Sequence, residues 1–334
     1  MLESVDFPQL FNDFHQKKVL IIGDVMIDTY LWGHVGRVSP EAPVPIVSGV
    51  IEENRLGGAA NVALNVKAMG AVPILCSVIG EDGRGKLFLE LMEEQYLSDI
   101  GLVVDDHRVT TQKTRIISGN QHLLRVDEEM DFFLSKRVQD HFLELINNLL
   151  ESGGIDAIIM QDYDKGVLTP RVIAEVIALA ERVQVPVLVD PKFRSFDLYK
   201  KVSLFKPNYK ELTRGLQLDL QKHEIDKLSK AIARFQKKQQ IGTIMVTLSE
   251  QGILVSHKGT FTHIPAVVRD IADVSGAGDT VISVAALCMI TGQDAPAIAA
   301  ISNLAGGQVC EKAGVVPVNA DKLLAECERY FKSS

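Results

Sequence analysis

Asp273-Val274-Ser275-Gly276-Ala277-Gly278-Asp279-Thr280 runs without a break into the apolar stretch 281–290, which is long enough for a buried helix. Two glycines around an alanine leave almost no side-chain bulk at that helix's first turn. The N–H groups there have no intrahelical partner, and the helix dipole adds partial positive charge. Such a turn can hold an anion on main-chain donors alone. Asp279 stands beside it, where a carboxylate that only capped the helix would be out of place. A base next to a phosphate-sized anion hole is what phosphoryl transfer to a hydroxyl requires. The plainer alternative is a helix start capped by Asp273 or Ser275, with glycines for close packing.

Working outward, the whole 334-residue chain suits one large α/β domain, 46% hydrophobic and 23% charged. A net charge of −8, from 35 basic and 43 acidic residues, argues against nucleic acid or an anionic membrane as partner. Cys76, Cys288, Cys310 and Cys327 lie far apart with no CxxC spacing, which speaks against a disulfide framework or zinc site. Residues 1–18 lack the charged-then-apolar order of a signal peptide. With no stretch apolar enough to cross a bilayer, the expected setting is the cytoplasm.

In chain order, 5–16 reads as a short amphipathic helix and 18–23 (KVLIIG) as a buried parallel-type strand. Asp24 and Asp28 follow that strand, at the end where open α/β sheets bind ligands; turn or cap carboxylates are the alternative. Residues 33–56 and 110–126 are rich in β-branched residues without helical period, the second with a turn near Gly119-Asn120. Together they predict a small sheet lying over the main domain as a lid, with short strands and an apolar side carrying Val44, Ile46, Ile116 and Leu124. Between them, Gly57-Gly58-Ala59-Ala60-Asn61 opens a helix over 62–69. From 153 onward strands and helices alternate: strands at 155–160, 186–190, 204–207 and 243–247, a hairpin at 253–261, helices at 170–183, 295–312 and 320–331.

Gly80, Gly85 and Lys86 have the spacing of a phosphate-cradling GxxxxGK loop, but Leu87 stands where a Ser or Thr must ligate magnesium. That reading is rejected. Asn208-x-x-Glu211 follows the strand at 204–207; taken alone it is a capping asparagine with a glutamate one turn on.

In this order, GG-x-x-N, G-x-D-x-x-G, N-x-x-E and GAGD resemble the signatures of the ribokinase (PfkB) family of sugar kinases over essentially the whole chain. The resemblance implies a ribokinase-like, doubly wound, mainly parallel sheet with a β lid, as one domain over 1–334. It implies ATP and Mg²⁺ as cofactors. Asp279 would be the base, and Gly276, Ala277 and Gly278 the anion hole. Asn208 and Glu211 would organise the metal, largely through water. Thr247, Ser249 and Gly252 would border the nucleotide, with Asn303 near the base. Asp24, Asp28, Gly57, Gly58 and Asn61 would hold the sugar.

Gly23-Asp24-Val25-Met26-Ile27-Asp28, residues 37–45, Asn120-Gln121, Asp162-Tyr163-x-Lys165-Gly166 and residues 249–252 resemble the branch of that family acting on heptose 7-phosphate. They imply phosphorylation at the anomeric hydroxyl. In the absence of an HxGH motif, the likeness is to stand-alone kinases. A sugar phosphate needs basic residues at its far end; candidates are Lys165, Lys192, Arg115 and Arg125, with Asn120 and Gln121 as neutral donors. Pairing with local acids such as Asp127 is the alternative for each. Val274-Ser275 and Phe193-Arg194-Ser195 depart from the family pattern. A homodimer through the lid is expected, and sugar phosphate and ATP are the expected ligands. Another sugar phosphate or nucleoside acceptor, or an inactive sugar-binding regulator, are the other readings; intact Asp279 and glycines oppose the last.

Overall fold

The computed structural model describes residues 5–119 and 121–332. Helix α1 (Phe7–Phe14) starts at Asp6, whose side chain accepts from the Gln9 N–H, and buries Phe7, Leu10, Phe11 and Phe14 on one stripe. Strand β1 (Lys18–Gly23) follows. Its Val19 and Ile21 enter one apolar layer, and Leu20 and Ile22 the other. A strand buried on both faces belongs inside a parallel sheet.

The next elements are β2 (Val25–Val38), β3 (Pro45–Gly58), α2 (Ala59–Ala68), β4 (Val72–Gly80), α3 (Gly83–Glu94) and β5 (Gly101–Asp105). Then come β6 (Gln112–Ser118), β7 (Gln121–Glu128), α4 (Lys136–Glu151), β8 (Ala157–Gln161), α5 (Pro170–Val183), β9 (Val187–Asp190) and β10 (Leu204–Phe205). The chain continues through α6 (Tyr209–Gly215), α7 (Ile225–Gln239), β11 (Thr243–Thr247), β12 (Ile253–His257) and β13 (Thr260–Ile264), ending in α8 (Ala277–Ile290), α9 (Ala295–Val309) and α10 (Ala320–Lys332).

Nine strands form the main sheet in the order β13-β12-β11-β10-β9-β8-β1-β4-β5, in which β12 alone runs against the others, paired antiparallel with both β11 and β13. Residues of α2, α8, α9 and α10 pack on one face and those of α4, α5 and α7 on the other. This is the expected doubly wound α/β fold. Strand order turns around at β1, so the crevice between β1 and β8 is the topological switch point. There the chains approach so closely that a Cβ on Gly23 would stand 2.0 Å from the Gln161 carbonyl oxygen.

The second sheet, β3-β2-β6-β7, is the lid, and it begins earlier than expected. β2 starts at Val25, so Asp28 lies within a lid strand and not in a loop after β1. Burial of every residue from Val25 to Tyr30 hides the alternation that would have marked the strand. The lid's first two strands are also 14 residues each, not short. Gly57 and Gly58 finish β3, and α2 opens at Ala59, three residues before the expected start. Tyr30, Arg115 and Arg125 sit opposite one another on one face; Leu31, Ile116 and Leu124 do so on the other. Ile46 stands in β3, whereas Val44 falls outside both strands.

Candidate active site

The first turn of α8 carries the decisive backbone. Gly276 precedes it at φ +78°, and a Cβ there would stand 2.9 Å from Asn61 Nδ2, so both conformation and space require glycine. No side chain caps the helix. Asp273 accepts instead from the Ser275 N–H and hydroxyl and from the Gly314 N–H, which removes it and Ser275 as helix caps. The Ala277 N–H reaches back to the Val274 carbonyl at 3.4 Å, and no protein acceptor is found among the described residues for the N–H of Gly278 or Asp279. Free donors at a helix N-terminus suit an anion.

Asp279 is buried in this turn. Its Oδ2 accepts from Asn61 Nδ2 at 2.8 Å, and its Oδ1 from Tyr163 Oη at 2.7 Å and Gln161 Nε2 at 3.1 Å. α2 brings Asn61 because its small residues let it lie against α8; Thr280 and Ser283 bond across to Asn65 and the Val62 carbonyl. Burial pushes the Asp279 carboxyl up to about 7, against the Asn61 and Tyr163 hydrogen bonds, with Asp190 adding to the rise and Lys206 opposing it. A base that titrates near neutrality is suited to taking a proton from a hydroxyl. Burial, with the Asp279 and Asp190 charges, holds the Tyr163 phenol well above its ordinary value, so it is a donor.

Behind the turn, buried Lys206 pairs with Asp190 at 3.0 Å, and Gln161 Nε2 joins Asp190 at 3.1 Å. Lys206 Nζ and Asp190 Oδ2 each lie 3.5 Å from the Cβ position of Gly278. Lys192 pairs with Glu211, and its ammonium sits 5.2 Å from the Tyr163 ring centre. Burial works against the Lys192 charge, but Asp190 and Glu211 outweigh it and hold the ammonium protonated.

Asn208-x-x-Glu211 is a capping box. Asn208 Oδ1 accepts from the Glu211 N–H at 2.9 Å, and Glu211 Oε2 from the Asn208 N–H at 2.8 Å. Glu211 is nevertheless no surface residue, its side chain being 12% exposed beside Lys192. Both its oxygens are engaged, and among the described residues no group of three or more His, Cys, Asp or Glu converges as a metal cage would. A hydrated divalent ion brought on nucleotide phosphates fits that donor set better than one stripped of water. Asn208 bridges to Thr247 at the end of β11. Gly252, at φ +86°, lets the 248–252 turn close on the Ile264 carbonyl, with Ser249 in its 3₁₀ segment. Asn303 on α9 donates to the Pro265 carbonyl at 2.9 Å, apart from the Asp279 cluster.

On the sugar side, Asp24 is fully used by the chain: its carboxylate accepts from the N–H groups of Tyr163, Lys165 and Val167. Asp24 thereby shapes the loop that presents Tyr163. Asp28 pairs with Arg115, and a Cβ on Gly57 would collide with Asp28 Oδ2 at 2.1 Å. Gly58, at φ +61°, turns β3 into α2 against the Asp24 carbonyl. The basic candidates all have acidic partners: Arg125 with Asp127 at 2.9 Å, Lys165 with Glu129 at 2.7 Å, Lys192 with Glu211. Lys113 joins the same group through Asp127 and Glu129. Gln121 lies exposed opposite Ser118 at the tip of the lid, and Asn120 is outside the described residues.

Sequence reasoning gave no role to Gln161, Asp190 or Lys206, and took Tyr163 only as part of a motif. The signal was present: Gln161, Asp190 and Lys206 end or directly follow three adjacent parallel strands, β8, β9 and β10, at the edge where ligands bind.

The chain matches the model of the pfkB family of carbohydrate kinases over residues 16–322. It is 38% identical over 318 residues to the bifunctional protein HldE of Pelobacter propionicus, covering 95% of this chain and 64% of that protein. To the bifunctional protein HldE of Helicobacter pylori strain P12 it is 40% identical over 302 residues, covering 89% of this chain and again 64% of the relative. The chain thus spans a little under two thirds of the length of these relatives. Among solved structures, phosphofructokinase-2 from Escherichia coli in complex with potassium superposes with a TM-score of 0.76 at 15% identity, covering 95% of this chain and 99% of the other. Ribokinase of Arabidopsis thaliana, complexed with ribose and ATP, gives 0.69 at 18% identity over 92% and 98%. These two share the fold.

Proposed function

The chain belongs to the pfkB family of carbohydrate kinases, and we propose that it transfers the terminal phosphoryl group of ATP to the anomeric hydroxyl of D-glycero-D-manno-heptose 7-phosphate. The product would be heptose 1,7-bisphosphate, a precursor of the lipopolysaccharide inner core, made in the cytoplasm. The observation that carries the kinase chemistry is Asp279, buried beside the free N–H groups of Gly278 and Asp279 itself.

In this reading the ionised Asp279 takes the acceptor's proton. The N–H donors of the 276–279 turn stabilise charge on the transferring group, and Lys206 stands behind them. Asn208 and Glu211 orient magnesium through its water, and the ion supplies charge neutralisation on the phosphates. Thr247, Ser249 and Gly252 flank the nucleotide, with Asn303 beyond them. Asp28, Gly57, Gly58 and Asn61 face the sugar. The lid excludes water, so that hydrolysis does not compete. Among the described residues no helix is long and apolar enough to cross a membrane.

Support for a phosphorylated acceptor is the group Lys113, Arg115, Arg125 and Lys165, four cations set against Asp28, Asp127 and Glu129. An incoming dianion would compete with those carboxylates for the cations. Comparing kcat/KM for heptose 7-phosphate, unphosphorylated heptose and fructose 6-phosphate tests the assignment. Heptose 7-phosphate should lead by about 100-fold, the scale of losing charge-assisted hydrogen bonds. Equal use of the unphosphorylated sugar, or preference for fructose 6-phosphate, would leave only the kinase class standing.

A further inference from the structure

The segment 310–316, between α9 and α10, has no regular structure of its own, yet it buttresses the anion-binding turn. The Gly314 N–H donates to Asp273 Oδ2 at 3.0 Å, while Asp273 Oδ1 holds the Ser275 N–H and hydroxyl at 3.0 and 2.9 Å. The Val315 side chain comes within 3.4 Å of the Cβ position of Gly276. Its first residue is tied to the main domain, the Cys310 carbonyl accepting from the N–H groups of Ala272 and Asp273, whereas residues 313–315 are held from the lid, more than 250 residues away in sequence. Tyr30 Oη accepts from the Val315 N–H at 2.9 Å. Arg55 Nη1 donates to the carbonyls of Ala313 and Val315 at 3.2 and 3.0 Å. A Cβ on Gly314, at φ +74°, would stand 2.7 Å from Arg55 Nη1 and 2.9 Å from the Tyr30 ring, so the seat fits only glycine.

We infer that Tyr30 and Arg55 are positioning residues: they lock the 313–315 segment and, through it, Asp273 and the 276–278 turn, so that the seating of the lid sets the geometry of the anion hole. The inference rests on reading that turn as the anion hole. Tyr30 is fully buried and lies between two guanidinium groups, Arg55 at 4.9 Å and Arg115 at 5.3 Å from its ring centre. Arg115 pairs with Asp28 on the sugar side. Whatever draws on Asp28 or Arg115 therefore acts on the ring whose hydroxyl holds Val315. A kinase gains by such a connection, because the phosphoryl-binding donors are in register only when the lid is seated.

The test uses the full chain with Tyr30→Phe, Arg55→Met and Gly314→Ala, each checked for folding by thermal melting. Should any one fail to fold, the others carry the test, since Tyr30→Phe removes a single hydroxyl. Two quantities are read: amide exchange at Ser275 and Thr280, and kcat beside KM for ATP and acceptor. The expected result is exchange at least threefold faster at those amides, kcat lower by about tenfold or more, and KM for ATP within twofold, as displaced reacting groups produce. Unchanged exchange with lowered kcat would overturn the inference, as would faster exchange with kcat intact, or no change in either. A wild-type protein with no kinase activity on any sugar phosphate would instead sink the proposed function, while the exchange measurement would still report on the lock.

Discussion

Tyr163 donates its phenolic hydrogen to Asp279 Oδ1 at 2.7 Å, in a pocket where Asn61 and Gln161 supply the carboxylate's other hydrogen bonds. The base is thus fully occupied before any acceptor arrives, and an incoming hydroxyl has to share or displace one of these donors. Tyr163 is the one carried on a loop, its backbone fixed by Asp24.

Asp279→Asn removes the base. Turnover is expected to fall by about 10²–10⁴-fold while ATP binding, measured by calorimetry, stays within severalfold. Near-normal turnover of the folded variant would exclude Asp279 as the base. Stability supplies a second reading. The folded-state value of about 7 lies above the ordinary carboxyl value of 3.8, so the associated stabilisation is complete below pH 3.8 and lost as pH rises through 7. Above pH 7 the wild type buries a charge that the variant does not carry. Relative to wild type, Asp279→Asn should therefore gain stability between pH 5 and 8, by roughly 1 kcal/mol or more, as urea melts at the two pH values would show.

Tyr163→Phe deletes one hydrogen bond that lowers the Asp279 value. The acid limb of the kcat/KM profile, expected near pH 7, should move upward by about one pH unit, the scale of a hydrogen bond to a charged group. An unmoved limb would show that some other group controls it.

Lys206→Met leaves Asp190 as a buried carboxylate without its ammonium partner. A loss of about 3–5 kcal/mol is expected, together with most of the turnover. Adding Asp190→Asn should restore much of the stability but not the activity. Recovery of both would make the pair purely structural and remove Lys206 from phosphoryl stabilisation.

The lid predicts a dimer. Ile116 opposes Leu124 on the face turned away from Tyr30, and Leu124 and Val126 are 57% and 44% exposed. A self-complementary apolar sheet face of this kind suits a twofold pair. Light scattering at micromolar concentration should give twice the chain mass, and Leu124→Lys should halve it. A fully active wild-type monomer would refute the pairing.

Local pattern made much of this protein legible. The apolar runs at 18–23 and 243–247 became strands at those bounds, and the helix over 170–183 was placed to the residue. Pro170 behind Thr169 marks that helix start, with the threonine side chain capping Val172. Where burial is complete, pattern carries less: β2 lost its alternation inside the core, so the lid's first strand was started eight residues late.

By itself, the sequence determined the alternation of strands and helices, the presence of a lid and the glycine turn at 276–279, because strand period and glycine placement act over a few residues, while the doubly wound order of the strands was implied by the family resemblance. Tertiary structure decided the partners. That Asp279 meets Tyr163 and Gln161, that Asp24 serves a loop 140 residues on, and that Arg55 grips Ala313 depend on contacts across 116 to 258 positions. Such contacts leave no local periodicity, since they form only after strand order and helix packing have brought distant ends of the chain to one edge of the sheet.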